Sequence, residues 1–349
     1  MAKYKGLYRF SFGPWNIDQG GDPFGPVVRK PEALKKKMQV ARDLGFDGMQ
    51  WHDDDVVENL DTKTAAEISK TSAKVKNMLA DHGLKPEFVA PRLWFAPETI
   101  DGAYSNPDPK CRRYAIERTK KCIDIANGIG THNIVLWLAR EGTYIRESKV
   151  GREAVLKIRD AIDTFLEYDP QVRILIEPKP NEPVDSALIP TIGHAIGLSY
   201  ITVDPARVGG LIESAHSILA GLDPADDMAY ALAHKKLWSV HLNDQGGLKF
   251  DEDKSFGSYN LRRAFNQVRV LEEASYGRTG EWVGLDVKAM RTQKQAAAWK
   301  HLRNSKQTFM NLLEKVRTLD TKLEAQLKAQ RDYEELDRYI LSHLMGVKA

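Results

Sequence analysis

The segment Arg173-Ile174-Leu175-Ile176-Glu177-Pro178-Lys179-Pro180-Asn181-Glu182-Pro183 sets the reading of the whole chain. Its first part, 173–176, reads as a short buried strand. The prolines that follow hold the backbone extended and fix where the intervening side chains point. Residues two apart in an extended chain share a face, so Lys179 lies on the face of Glu177 and can reach a substrate oxygen beside a metal held there. A helical pattern precedes the segment at 151–167 and another follows at 190–200. The unit is therefore helix, strand, charged exit, helix.

The same unit recurs along the chain. Short apolar runs stand at 7–12, 48–51, 87–90, 133–137, 173–176, 208–212, 237–242 and 282–287. Helical patterns lie near 31–44, 64–82, 109–129, 151–167, 190–200, 223–234, 258–275 and 289–317. Strict alternation argues for βαβ units and a parallel sheet. Eight repeats predict an α/β fold, a closed (β/α)8 TIM barrel, over an open doubly wound sheet. No G-x-G-x-x-G run follows the first strand, which argues against dinucleotide binding. The expected division is a catalytic barrel over 1–317 and a helical extension over 318–349, at a subunit contact. One helix is expected over 320–345.

Composition narrows the function. The net charge of the 349 residues is +3, too small to argue for a nucleic-acid or membrane partner. The basic run Lys35-Lys36-Lys37 falls within a helical pattern and reads as a solvated face. No stretch approaches the roughly 18 apolar residues of a membrane span, and the first residues carry no signal-peptide core. Cys111 and Cys122 share one helical pattern and lie about 16 Å apart along its axis, too far for a disulfide. A reducing cytoplasm fits.

In a parallel barrel the chemistry sits at the C-terminal ends of the strands. The exits here carry Trp15; His52 with Asp53, Asp54 and Asp55; Arg92 and Trp94; Trp137; Glu177 and Lys179; Glu213 and His216; His241 and Asn243, then Asp251 and Asp253; and Asp286 with Lys288. Carboxylates converging from several strands repel one another unless a cation joins them. Oxygen ligands with one or two imidazoles suit Mg²⁺, Mn²⁺ or Co²⁺ better than a structural zinc. Any single acid of this set also reads as a rim salt bridge. The set as a whole reads as a metal centre.

These residues resemble the xylose (glucose) isomerase family. The resemblance runs through Phe12-Gly13-Pro14-Trp15, Gly21-Asp22-Pro23-Phe24-Gly25, His52-Asp53-Asp54-Asp55, Arg140-Glu141-Gly142, the Glu177–Pro183 run, Pro190–Ala195, Glu213-Ser214-Ala215-His216, Lys249–Asp253 and Ser342–Gly346. It implies two divalent metals per chain. Glu177, Glu213 and Asp286 would hold the first. Glu213 would bridge to the second, with His216, Asp251 and Asp253. His52, oriented by Asp55, would open the sugar ring, and Lys179 would polarise the carbonyl oxygen. Trp15 and Trp137 would wall the path of a hydride shift, and Phe24 would reach into a neighbouring subunit of a homodimer or homotetramer.

Three departures from the family pattern stand out. His241 replaces an aspartate ligand of the first metal; if it ligates, that site shifts from Mg²⁺ toward Mn²⁺, Co²⁺ or another imidazole-tolerant ion, and if it does not, the site is weak. Ala90-Pro91-Arg92-Leu93-Trp94 replaces Thr-Thr-Asn-Leu-Phe. Trp94 keeps an apolar wall with less room, and Arg92 meets either a substrate carboxylate or phosphate or a neighbouring acid. Ser217 replaces a glutamate. The resemblance implies a metal-dependent aldose–ketose isomerase; the alternative is a single-metal ketose 3-epimerase, whose ligand set Glu177, Glu213, His241 and Asp286 resemble. A purely binding barrel needs neither Lys179 nor His52, and a barrel nuclease fits poorly with the near-neutral charge and nine histidines.

Overall fold

The protein is described by a computed structural model covering residues 7–22, 24–248 and 250–347. Pro23 and Lys249, both in the quoted motifs, lie outside the described residues, as do 1–6 and 348–349 of the outlined domains.

Eight parallel strands close into a barrel. They are β1 (Phe10–Phe12), β2 (Gly48–His52), β3 (Lys85–Ala90), β4 (Asn133–Trp137), β5 (Arg173–Glu177), β6 (Val208–Glu213), β7 (Leu237–Leu242) and β8 (Trp282–Leu285). Each pairs with its sequence neighbours, and β1 closes the ring on β8, Phe12 opposite Leu285. The barrel expectation holds. The first strand begins three residues later than its apolar run, and the last ends two earlier.

The outer ring comprises α1 (Leu34–Asp43), α2 (Ala65–Asp81), α3 (Pro109–Ile129), α4 (Gly151–Tyr168), α5 (Ile192–Tyr200), α6 (Pro224–Ala233), α7 (Leu261–Glu273) and α8 (Lys300–Arg317). Local signals set their ends. Thr64 and Glu67 form a reciprocal capping box on α2. Asp108 and Pro109 start α3, and Gly130, at φ 104°, stops it. The helical pattern expected from 289 begins only at Lys300. The reason is Arg29, whose guanidinium takes the carbonyls of Met290, Arg291 and Gln293 and so removes them from any helical ladder.

The expected single helix over 320–345 is two, α9 (Thr321–Gln330) and α10 (Tyr333–Met345). Arg331 breaks them in the left-handed region at φ 55°. Both pack back on the barrel's helices: Arg269 of α7 pairs with Glu324, and Lys315 of α8 donates to the His343 carbonyl at 2.7 Å. No helix of the described residues is long and apolar enough to cross a membrane.

One irregularity shapes the barrel interior. Met49 pairs with Pro86 but Trp51 pairs with Val89, so β3 carries an extra residue between them. Two successive residues can then turn inward. Phe88 joins the interior apolar cluster of Val135, Leu175 and Leu211. Glu87, fully buried, accepts hydrogen bonds from Ser11, Gln50 and Ser239. Burial raises its carboxyl pKa, against those three hydrogen bonds.

Candidate metal centre

Alternation along each strand places the ligand candidates. Leu175, Leu211 and Ser239 face the barrel interior, so Glu177, Glu213 and His241, two residues on, face inward at the mouth. Glu213 is paired in register with His241, and Trp137 with Glu177. Asp286 follows β8 directly. His216 comes from the short helix Ser214–Leu219, and Asp251 and Asp253 from the loop after β7.

The side chains form two adjoining groups that share Glu213: Glu177, Glu213 and His241; and Glu213, His216 and Asp251. In the first, His241 Nδ1 lies 3.6 Å from Glu177 Oε1 and 3.8 Å from Glu213 Oε2; Asp286, outside both groups, has its Oδ2 3.9 Å from the same nitrogen. In the second, His216 Nε2 lies 3.3 Å from Glu213 Oε1 and 3.1 Å from Asp251 Oδ2. His216 Nδ1, both ring nitrogens of His241 and Asp251 Oδ1 are buried with no hydrogen-bond partner. Such atoms cost free energy unless something coordinates them. Carboxylates and imidazoles aimed at one point fit a divalent cation.

The electrostatics agree. Burial pushes Glu213 well above the ordinary carboxylate range, although His216 pulls against it. Burial opposes protonation of His241, but Glu177 and the other acids outweigh it and raise its pKa well above the usual value. Protons thus screen the acids from one another, and a cation that displaces them does the same work.

The supporting contacts come from across the fold. Asn243 Nδ2 donates to Glu213 Oε1 at 2.8 Å and to Asp253 Oδ1 at 3.2 Å. Asp253 also pairs with Lys288. It stands outside both ligand groups, whereas the resemblance counted it among the second metal's ligands. Lys179 Nζ lies 2.9 Å from Asp251 Oδ2, 3.3 Å from Glu182 and 5.4 Å from the centre of the Trp137 ring.

An aromatic wall stands beside the ligands. The Trp15 and His52 ring centres are 4.2 Å apart, His52 and Trp94 5.2 Å, and Trp94 and Trp137 4.6 Å. Arg92 is found among acids: Nε is 2.9 Å from Asp54 and Nη2 3.3 Å from Asp55. Of its two expected roles, the structure shows pairing with neighbouring acids. Phe24 is not brought to this site within the chain; its side chain is exposed.

Sequence reasoning passes over Asn16 and Gly284. Asn16 Nδ2 donates to Asp286 Oδ1 at 2.9 Å; its position directly after Trp15 is the one signal it carries. Gly284 lies opposite His241 in register, and a Cβ there would come within 2.9 Å of the His241 ring and 2.8 Å of the Val240 carbonyl. Nothing in the local pattern marks it.

Fold and site together define a closed α/β barrel with buried acids and histidines gathered at its mouth. Residues 38–274 match the family model described as "Xylose isomerase-like TIM barrel", and the chain belongs to that family. It is 31% identical to the xylose isomerase of Thermus thermophilus over 320 residues, 90% of this chain and 81% of that protein. Among solved structures, a D-tagatose 3-epimerase-like protein superposes with TM-score 0.62 at 16% identity, covering 88% of this chain and 99% of that one. The IolI protein with a bound zinc atom superposes with TM-score 0.60 at 15% identity, covering 89% and 100%. At these identities the two structures speak for the fold alone.

Proposed function

We propose that the chain is a metal-dependent aldose–ketose isomerase that opens a cyclic sugar and shifts a hydride from its second carbon to its first. The observation that carries this reading is the pair of ligand groups joined through Glu213, with Lys179 beside them. Glu177, Glu213, His241 and Asp286 hold a first divalent ion, and Glu213, His216, Asp251 and Asp253 a second. These ions, of the Mn²⁺, Mg²⁺ or Co²⁺ class, supply Lewis acidity to two adjacent sugar oxygens. His52 exchanges a proton at the ring oxygen, with Asp55 beside it. Lys179 places its ammonium against the charge that develops on the carbonyl oxygen. Trp15, Trp94 and Trp137 keep water from the reacting carbons.

The sugar is the small-molecule partner, and the protein works in the cytoplasm, where free Cys111 and Cys122 stay reduced. It assembles as a homodimer or homotetramer. The Phe24 side chain, 94% exposed, supports a contact in which a neighbouring subunit receives it, and Tyr333 and Met345, exposed on the extension, support one there.

The test is a panel of aldotetroses, aldopentoses and aldohexoses with each metal, read by product analysis. Ketose is the expected product, and failure on every sugar would sink the reading. A single-metal ketose 3-epimerase is the second reading. It is favoured by His241 in the first group and by Asp253, whose two oxygens are taken by Asn243 and Lys288. In heavy water, deuterium entering the product carbon marks epimerisation by proton transfer; its absence marks a hydride shift.

A further inference from the structure

We propose that Arg92 is a positioning residue that fixes the tautomer of His52, holding the ring with its proton on Nε2. Arg92 Nη2 lies 2.5 Å from His52 Nδ1. A guanidinium has five N–H donors and no acceptor, so a hydrogen bond between these atoms runs from arginine to histidine. Nδ1 must then offer its lone pair, and in a neutral ring the proton sits on Nε2. Asp55 is the rival partner for Nδ1, at the longer distance. Its Oδ2, 3.2 Å from Nδ1, accepts from the His52 backbone N–H at 3.0 Å. Its other oxygen, Oδ1, pairs with Arg92 at 3.3 Å.

Arg92 is itself held on several sides. Nε stands 2.9 Å from Asp54, the backbone N–H donates to Asp53 Oδ1 at 3.2 Å, and the guanidinium carbon is 5.9 Å from the centre of the Phe95 ring. Asp53 is buried and locked by Arg118, so the loop that carries Arg92 is anchored to the exit of β2. The fork is thereby aimed at the imidazole edge. The ring's faces and edges are set in turn by Trp15 and Trp94.

The consequence concerns what the site offers a ligand. With Asp55 as the partner of Nδ1, Nε2 would carry a lone pair and act as a base. With Arg92 as the partner, Nε2 presents an N–H. The ring then donates a hydrogen bond to an acceptor oxygen of the substrate, such as the ring oxygen of a cyclic sugar. The tautomer stands on the contacts alone; its use at a sugar rests on the isomerase reading.

The test is nitrogen-15 NMR of histidine-labelled protein at about pH 8.5, roughly two units above the ordinary imidazole pKa. The His52 signals are assigned by their loss in His52→Gln. Expected in the unmodified protein is a proton-bearing Nε2 and a bare Nδ1. Expected in Arg92→Leu, where Asp55 becomes the neighbour of Nδ1, is a switch to the Nδ1–H form; Arg92→Lys, which keeps a donor-only group, retains the Nε2–H form. A proton on Nδ1 in the unmodified protein overturns the proposal, whatever the variants do, and so does an unchanged tautomer in Arg92→Leu. If the tautomer is as expected but no sugar is converted, the isomerase reading fails and the role of Arg92 stands.

Discussion

The indole N–H of Trp15 donates to Asp286 Oδ1 across 3.0 Å. Asn16 Nδ2 meets the same oxygen, which leaves Oδ2 turned toward His241 and the first ligand group. The aromatic wall and the proposed metal ligand Asp286 therefore hold each other in place. Trp15→Phe keeps the ring and removes the donor. Loss of such an outer partner weakens metal binding about 10- to 100-fold. Titration calorimetry with Mn²⁺ checks this, and an unchanged affinity would show that the bond does not orient Asp286.

Gly284→Ala tests how tightly His241 is seated. The new methyl would lie 2.2 Å from Gln50 Nε2 as well as against the His241 ring and the Val240 carbonyl. Overpacking of this kind costs about 1–3 kcal/mol. We expect a lower melting temperature and loss of the first metal before the second, read by thermal unfolding and metal analysis. Full stability with full metal content would show that the strands part at no cost.

His241→Asp exchanges an imidazole for a carboxylate in the first group. Hard oxygen ligands favour Mg²⁺, and imidazole favours later divalent ions. The variant should gain activity with Mg²⁺ relative to Co²⁺ or Mn²⁺. A metal-activation series that keeps its order would exclude His241 as a ligand.

Lys179→Ala should lower kcat/KM by roughly 10²–10³-fold with metal content retained, the size of loss seen when one donor to a developing oxyanion is removed. Burial alone would lower the lysine pKa, but Asp251, Glu213 and Glu182 outweigh it and hold it above the ordinary value. The ammonium is therefore present throughout the neutral range, and an alkaline limb near neutral pH must come from another group.

His301 makes folding sensitive to acid. Its Nε2 donates to the Asn16 carbonyl at 2.8 Å, and burial pushes its pKa down from 6.5 to about 4. The unfolded chain takes up the proton first as pH falls, so stability is full above about pH 6.5 and declines toward pH 4. At about 1.36 kcal/mol per pKa unit the loss amounts to roughly 3 kcal/mol. Urea unfolding of the parent and of His301→Gln across this range should show that component in the parent alone.

The barrel is legible because each strand is an apolar run and each helix carries its own end signals, such as Thr64 with Glu67 and Asp108 with Pro109. The ligand candidates are legible because their chemistry lies in residue type: an acid or histidine at a strand exit needs a reason to be buried. Arg92 shows the limit. Its charge is visible in the chain, but its partner among acid, substrate and imidazole is not. Glu87 and Phe88 show another, since a strict alternation would send one of them outward and the extra residue in β3 turns both inward.

What the sequence determined by itself is the order of strands and helices and the set of side chains delivered to one mouth, because periodicity and capping act over a few residues. Which atoms meet there was decided by the closed barrel. Arg92 and His52 are 40 residues apart in the chain, and Trp15 and Asp286 are 271. The first contact follows from β2 lying beside β3, with His52 opposite Ala90, and the second from closure of the ring, which brings β1 against β8. The pairing of strands fixes whether an imidazole faces a guanidinium or a carboxylate, and so which of its nitrogens carries the proton.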